Sequence, residues 1–211
     1  MDKSFLDKLI MNAVSSDGTD YSMAKILNYL FKDTLFFQPL EKGQIWHYLN
    51  DNNHWKQNYE TIPSFIRNYI HLEVANLFRK KLKIIQLQLE SETKGSDGFV
   101  KLEDIIVSLT KIIRNCETTS YGTNVITALK GLVEYKIKDD GKQFVEKLDS
   151  NVNIFAFNNK LYDMDKEIFR KILPEDFVST STNYILEDST DEDIKYIETF
   201  LKSFHKTTKK E

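Results

Sequence analysis

Cysteine is almost missing: Cys116 is the only one in 211 residues. No internal disulfide can form, and a reducing compartment inside the cell is expected over secretion. One thiol cannot build a zinc site, and His47, His54, His71 and His205 include no HxxxH pair. Cys116 itself reads as packing material. Glycine is scarce as well. The seven glycines, at 18, 43, 95, 98, 122, 131 and 141, never stand five apart before a Lys-Ser/Thr pair, nor in a GxGxxG. Backbone amides are therefore not set out to cradle phosphates by either device, which excludes those forms of ATP binding. There is no GxSxG elbow. No catalytic residue, metal site or cofactor is expected in this chain. With only three prolines, few positions break a helix. No apolar run nears the roughly 20 residues of a membrane span. The opening MDKSFLDKLIMNAVSSDG lacks the continuous apolar core of a signal peptide.

What is present is an ordinary globular mixture, 41% apolar and 29% charged. The net charge of −3 argues against a wholly basic nucleic-acid coat, so any such face must be local. Residues 79–147 hold 13 basic and 10 acidic side chains, whereas 163–198 hold 4 and 11. Lys202, Lys206, Lys209 and Lys210 turn the end basic again.

The periodicity predicts a mostly α-helical α+β fold, a helix bundle with small β-hairpins near 35–57 and 153–164. Residues 1–16 read as a lead-in. The first strong helix starts near Asp20, capped by Asp17, Thr19 or Asp20, with Met23, Leu27, Leu30 and Phe31 on one face. LFFQPLEKGQIWHYLNDNNHWKQN reads as short strands turning at Glu41-Lys42-Gly43 and Asp51-Asn52-Asn53. Trp46, Tyr48 and Trp55 lie on that sheet, where they either stack on bases or glue the sheet to helices. His47 and His54 read as surface histidines beside the tryptophans. A long helix follows with Pro63 in its first turn and a core stripe of Ile66, Ile70, Val74, Leu77, Leu82, Ile85 and Leu89. Residues 91–98 form a loop. Two further helices carry Leu102–Ile113 and Val125–Val133. NIFAFNNKLYDM is a hairpin signal, and PEDFVSTSTNYI adds an extended stretch. Ser189-Thr190-Asp191-Glu192 fits a capping box, with the Ser189 hydroxyl and Glu192 carboxylate as partners, opening a last helix with Ile194, Ile197, Leu201 and Phe204 on one face.

Phosphate contact is the one chemical role left open. Arg79, Lys80, Lys81 and Lys83 on one helix, with Lys111, Arg114 and Lys130, either track a nucleic-acid backbone or form a solvated helix face. Trp55 is the candidate for stacking on an exposed base.

Several segments together carry a resemblance. TDYSMAKILNYLFKDTLFF with GQIWHYLNDNNHW, in which Asp20, Ala24, Trp46 and Trp55 are the matching residues, resembles a helix-then-tryptophan-hairpin opening. LTKIIRNCETTSYGTNVITALKGL is similar to a pair of helices that follows it. LDSNVNIFAFNNKLYDMDKEIFRKILPEDFVSTSTNY matches a hairpin motif at Asp149, Phe157, Asn158, Asn159, Tyr162, Asp163, Pro174, Glu175 and Asp176, with Lys160 where glycine is usual. In this order the blocks resemble the helical domain just N-terminal to the superfamily 3 helicase module of poxvirus-type, nucleocytoplasmic large DNA virus and phage primase–helicases. The resemblance covers roughly residues 17–188 and leaves 189–211 as a capped helix and basic tail leading toward a helicase module. It implies a non-catalytic collar or linker that binds single- or double-stranded DNA, joins primase and helicase modules, and assembles as a homo-oligomer, a hexamer in the full-length protein. The ATP-driven helicase activity would belong to that full-length protein, acting in a host cytoplasmic virus factory or a virion and at no membrane. Asn158, Asn159 and Asp163 are expected to define the fold by bonding local backbone. The competing expectation is a protein–protein adaptor that never touches DNA.

Overall fold

The computed structural model describes residues 2–40, 43–57, 61–134, 143–190, 192–193, 195–197 and 199. It is an α+β fold, mostly helical, with two three-stranded antiparallel sheets. The turn residues Glu41 and Lys42, and most of the expected last helix, lie outside the described residues.

The chain starts in a helix that the sequence reading did not assign. α1 (Lys3–Ser15) is capped by Asp2, whose Oδ1 accepts the Ser4 and Phe5 amides. Its buried Leu6, Ile10, Ala13 and Val14 join the main core. Asp17 and Gly18 turn the chain in the left-handed region, at φ 52° and 67°. A Cβ on Gly18 would meet Ile112 Cγ1 at 2.6 Å, so this close approach requires glycine. Thr19 then caps α2 (Asp20–Leu30) by accepting the Ser22 amide.

β1 (Leu35–Leu40), β2 (Gly43–Leu49) and β3 (Trp55–Gln57) form the first sheet, with Phe37 opposite Trp46 and Leu49 opposite Trp55. The turn before β3 is held by Asn50, whose Oδ1 accepts the Asn52 and His54 amides. Because side chains alternate along a strand, the sheet acts as a partition. Leu35, Phe37 and Trp46 enter the helical core. Phe36, His47 and Trp55 face the other way, onto Phe144.

The expected long helix is three pieces: α3 (Thr61–Tyr69), a π turn (Ile70–Val74) and α4 (Ala75–Ser91). Its buried positions Ile62, Ile66, Ile70, Val74 and Phe78 recur every four residues. At 3.6 residues per turn such a stripe drifts by about 40° per step. The π turn supplies an extra residue that rotates the stripe back toward the core. α5 (Asp97–Cys116), capped by Ser96, returns against α4, and α6 (Thr119–Val133) packs on α2 and α3.

The short α7 (Phe144–Lys147) leads to the second sheet: β4 (Ile154–Ala156), β5 (Leu161–Asp163) and β6 (Ile168–Arg170), in that order. β6 extends the expected hairpin by one strand. Leu161, Ile172 and Val178 form its own small core, with Ile154 and Ala156 packed on it. The two halves are joined at Trp55, whose backbone N–H reaches Val178 O at 2.7 Å and whose Nε1 donates to Pro174 O at 2.9 Å.

Candidate nucleic-acid interface

Three of the seven cations singled out in the sequence are engaged by carboxylates. Arg79 pairs with Glu117 at 3.1 Å, and Lys111 with Asp17 at 2.9 Å. Lys81, which the sequence placed beside them, is pinned to Asp7 at 2.8 Å. Asp17 also accepts the Ser108 hydroxyl, and the Lys111 contact holds its carboxyl below the usual carboxylate range. Lys130 lies over the Phe37 ring, 5.3 Å from its centroid, on the sheet side of α6. Lys80, Lys83 and Arg114 are exposed and make no ion pair among the described residues. The antiparallel α4–α5 pair carries these three, so the basic surface is narrower than the sequence suggested.

Trp55 corrects the stacking expectation. It is 2% exposed, packed edge-on against Phe144, with its N–H taken by Pro174. Its ring is the joint between the two sheets and is closed to a base. Trp46 is buried in the main core. His47 and His54, expected at the surface, are also buried. The reason is shared: the hairpin is covered on both faces, by helices on one side and by the second sheet's unit on the other. His47 contacts Phe144 at 4.7 Å, and neither ring nitrogen has a partner among the described residues. Burial holds its pKa down to about 4.

The motif residues act as clamps. Asp20 opens the first turn of α2, where a carboxylate favours the helix dipole, and Ala24 is buried behind it. Asp149 accepts the Ser179 and Thr180 amides and the Ser179 hydroxyl. These bonds overcome burial and hold its carboxyl below the usual range. Asn158 accepts the Ser181 hydroxyl at 2.7 Å, and Asn159 pairs with the backbone of Leu186. Asn158 and Asn159 therefore reach 23 and 27 residues along the chain, where local backbone was expected, and Asp149 reaches 30 and 31. Asp163 stays local: it accepts from Arg170 Nε at 3.1 Å and from the Lys166 amide. Arg170 in turn forks onto Asp176 with two 2.7 Å bonds, and this raises its pKa. At the expected glycine position, Lys160 closes the turn by accepting the Phe157 amide, at no positive φ. The reciprocal cap further on is one residue later than expected, between Thr190 and Asp193.

A row of aromatic side chains on the second sheet is more open to solvent. Phe155, Tyr162 and Phe169 stand opposite one another on the three strands of the second sheet. Phe155 is 46% and Phe169 54% exposed, and Tyr162 and Phe169 have ring centroids 4.8 Å apart. Phe157 extends the row, 5.3 Å from Phe155 and 6.3 Å from Phe169. The signal was visible in IFA, LYD and IFR, where the middle residue of each strand is aromatic. Among the described residues no group of three His, Cys, Asp or Glu side chains comes together to hold a metal, and no helix is long and apolar enough to cross a membrane.

A family model described as "D5 N terminal like" matches residues 24–206. The chain is also 27% identical over 206 residues to a protein of Acanthamoeba polyphaga mimivirus named "Putative helicase L207/L206". That alignment takes in 96% of this chain and 20% of the mimivirus protein, so the chain spans about a fifth of the length of this relative.

Proposed function

Because the chain belongs to the D5 N terminal like family, the N-terminal domain of viral primase–helicases, we propose that it is a non-catalytic DNA-binding and assembly domain. It positions DNA and neighbouring subunits for an ATPase module elsewhere in the full-length protein, inside the infected cell, and needs no cofactor of its own. The family match carries this reading. The surface that supports it is the α4–α5 pair, where Lys80, Lys83 and Arg114 are exposed and Arg79 and Lys111 lie alongside, each tied to one carboxylate.

Binding through such a surface is electrostatic and weakens with salt, with a slope of roughly −0.7 per single-strand phosphate neutralised. Titration of single- and double-stranded oligonucleotides at two salt concentrations tests it. The parent chain should lose affinity as salt rises, and Lys80→Glu, Lys83→Glu and Arg114→Glu together should remove most of the binding. Affinity that ignores both changes sinks this surface.

A second reading is an adaptor that docks a primase or a second copy and does not bind DNA. The carboxylates opposite Arg79, Lys81 and Lys111 favour it, since an internally neutralised surface attracts phosphate poorly. Light scattering with and without oligonucleotide separates the two: self-association with no shift on adding DNA supports the adaptor.

A further inference from the structure

We propose that the outward face of the second sheet is a stacking platform for two or three bases of single-stranded nucleic acid, with Phe155, Tyr162 and Phe169 as its rings. This rests on the nucleic-acid reading above and gives it a second surface, separate from α4–α5.

The alternation of the strands sets the face. Ile154, Ala156, Leu161, Asp163 and Arg170 turn inward, onto Ile172 and Val178 or into the Asp163–Arg170–Asp176 bonds. The residues between them turn outward, and all three are aromatic. Adjacent strands lie about 4.8 Å apart, so the row of rings spans about the reach of two or three nucleotides. Base–aromatic stacking tolerates any sequence because every base has a π face.

Charge on this sheet does not oppose a phosphate chain. Most carboxylates of the C-terminal third follow the sheet in sequence, from Glu175 onward, and of these Asp176 is engaged by Arg170 and Asp188 by Lys160. Within 151–173, Lys160, Lys166, Arg170 and Lys171 meet Asp163, Asp165 and Glu167. Asp163 is turned inward on Arg170, and Asp165 accepts from Asn153 Nδ2 at 2.8 Å. Lys160, Lys166 and Lys171 stand in the loops that bound the sheet. Lys160 is tied to Asp188 at 3.3 Å and Lys166 is 3.5 Å from Asp163. Lys171 is exposed with no ion pair among the described residues. With so few cations, stacking supplies most of the affinity and the salt slope is shallow, about −2 if three phosphates are met.

The experiment compares the whole chain with three variants by fluorescence anisotropy. The probes are oligo-dT of about 12 nucleotides and an abasic strand with the same number of phosphates. The parent should bind dT at least roughly tenfold more tightly than the abasic strand. Phe155→Ala with Phe169→Ala should cost tenfold or more for dT and little for the abasic strand. Phe155→Leu with Phe169→Leu keeps the apolar area and protects the fold, and it should lose the same preference. If the leucine pair binds dT like the parent, or the abasic strand binds equally well, the platform is excluded. If the aromatic variants change only the oligomeric state, the face is a protein contact and the proposal fails. Loss of binding on reversing Lys80, Lys83 and Arg114, with the aromatic variants unaffected, sinks the platform and leaves the α4–α5 reading standing. A parent chain that binds no strand at low salt overturns both.

Discussion

The carboxamide of Asn159 is paired with the backbone of Leu186 on both of its polar atoms: Nδ2 donates to the Leu186 carbonyl at 3.0 Å, and Oδ1 accepts the Leu186 N–H at 2.9 Å. A side chain thus completes the hydrogen bonding that a neighbouring strand would otherwise supply. The extended segment beyond the second sheet is held there and, upstream, by Asn158 N–H to Tyr184 O and Thr182 N–H to Ala156 O.

Asn159→Ala removes both bonds at Leu186 and should cost about 1–2 kcal/mol, since each is exposed and water replaces part of it. Asn159→Asp keeps the acceptor but sets an anion against the Leu186 carbonyl, and should cost at least as much. Hydrogen exchange should show residues 183–188 losing protection while α2 and α6 keep theirs. Unchanged protection at Leu186 would mean that the clamp is not what holds this segment.

His47 makes the fold acid-sensitive. Its folded pKa is held down to about 4 by burial, while an unfolded histidine titrates near 6.5. Between those values the unfolded chain binds a proton that the folded chain does not. Stability therefore rises with pH across that window and falls as acid is added, by about 3 kcal/mol once pH drops below 4. His54 shifts in the same direction, through burial and then Lys56, so it adds to the slope. His47→Leu should flatten the loss between pH 7 and pH 5 in urea denaturation without removing it entirely. An undiminished slope in that variant would show that His47 is not its source.

The elements of the fold were legible where one period dominates. α2, α5 and α6 follow their apolar spacing, and the turns at 51–53 and 158–160 stand where their residue types predict them. α1 carries a faint signal in Asp2, Leu6, Ile10 and Val14, because a stripe this short, with charges set into it, has the same pattern as an irregular lead-in. The π turn could be read only as a four-residue stripe that a plain α-helix cannot keep facing inward. The site was less legible. Asp17 and Lys111 are 94 positions apart, and a pair so distant leaves no local pattern to show that a cation is already engaged. Trp55 fits a packing role better than a stacking role by residue type alone, and the element covering it decides between them. The outward aromatic row needed the strand register, which three-residue strands do not specify on their own.

Trp55→Phe keeps a ring between the sheets but deletes the N–H that Pro174 O accepts. It should destabilise the chain by about 1–2 kcal/mol, mostly through the carbonyl left without that donor. Nucleic-acid affinity of the folded variant should equal that of the parent. A drop in affinity with stability preserved would return Trp55 to a direct role.

Glu117→Gln releases Arg79 without reshaping the end of α5. Both partners are nearly half exposed, so the change in stability should stay within about 1 kcal/mol. If the α4–α5 surface meets phosphates, affinity for single-stranded DNA should rise and the salt slope should steepen by about 0.7. If neither moves, Arg79 lies outside the contact and the surface reduces to Lys80, Lys83 and Arg114.

Arg170→Lys tests what holds the aromatic sheet in shape. The guanidinium joins Asp163 on β5 to Asp176 in the turn after β6, using a fork that an ammonium cannot reproduce. Asp163 keeps the Lys166 amide and Asp176 the Leu173 amide, but an ammonium cannot meet both carboxylates, so one of these nearly buried side chains loses its guanidinium partner, at a cost of roughly 2–4 kcal/mol. Phe169 precedes Arg170 on β6, so loosening this strand displaces one ring of the outward row. The variant should therefore lose dT binding more steeply than it loses helix content, and hydrogen exchange should rise first at 161–170. Replacing Asp163 and Asp176 by Asn in the same chain should restore part of the stability by removing the unpaired charges. If the charge removal restores stability but not dT binding, the fork is needed for the alignment of the rings as well as for the fold.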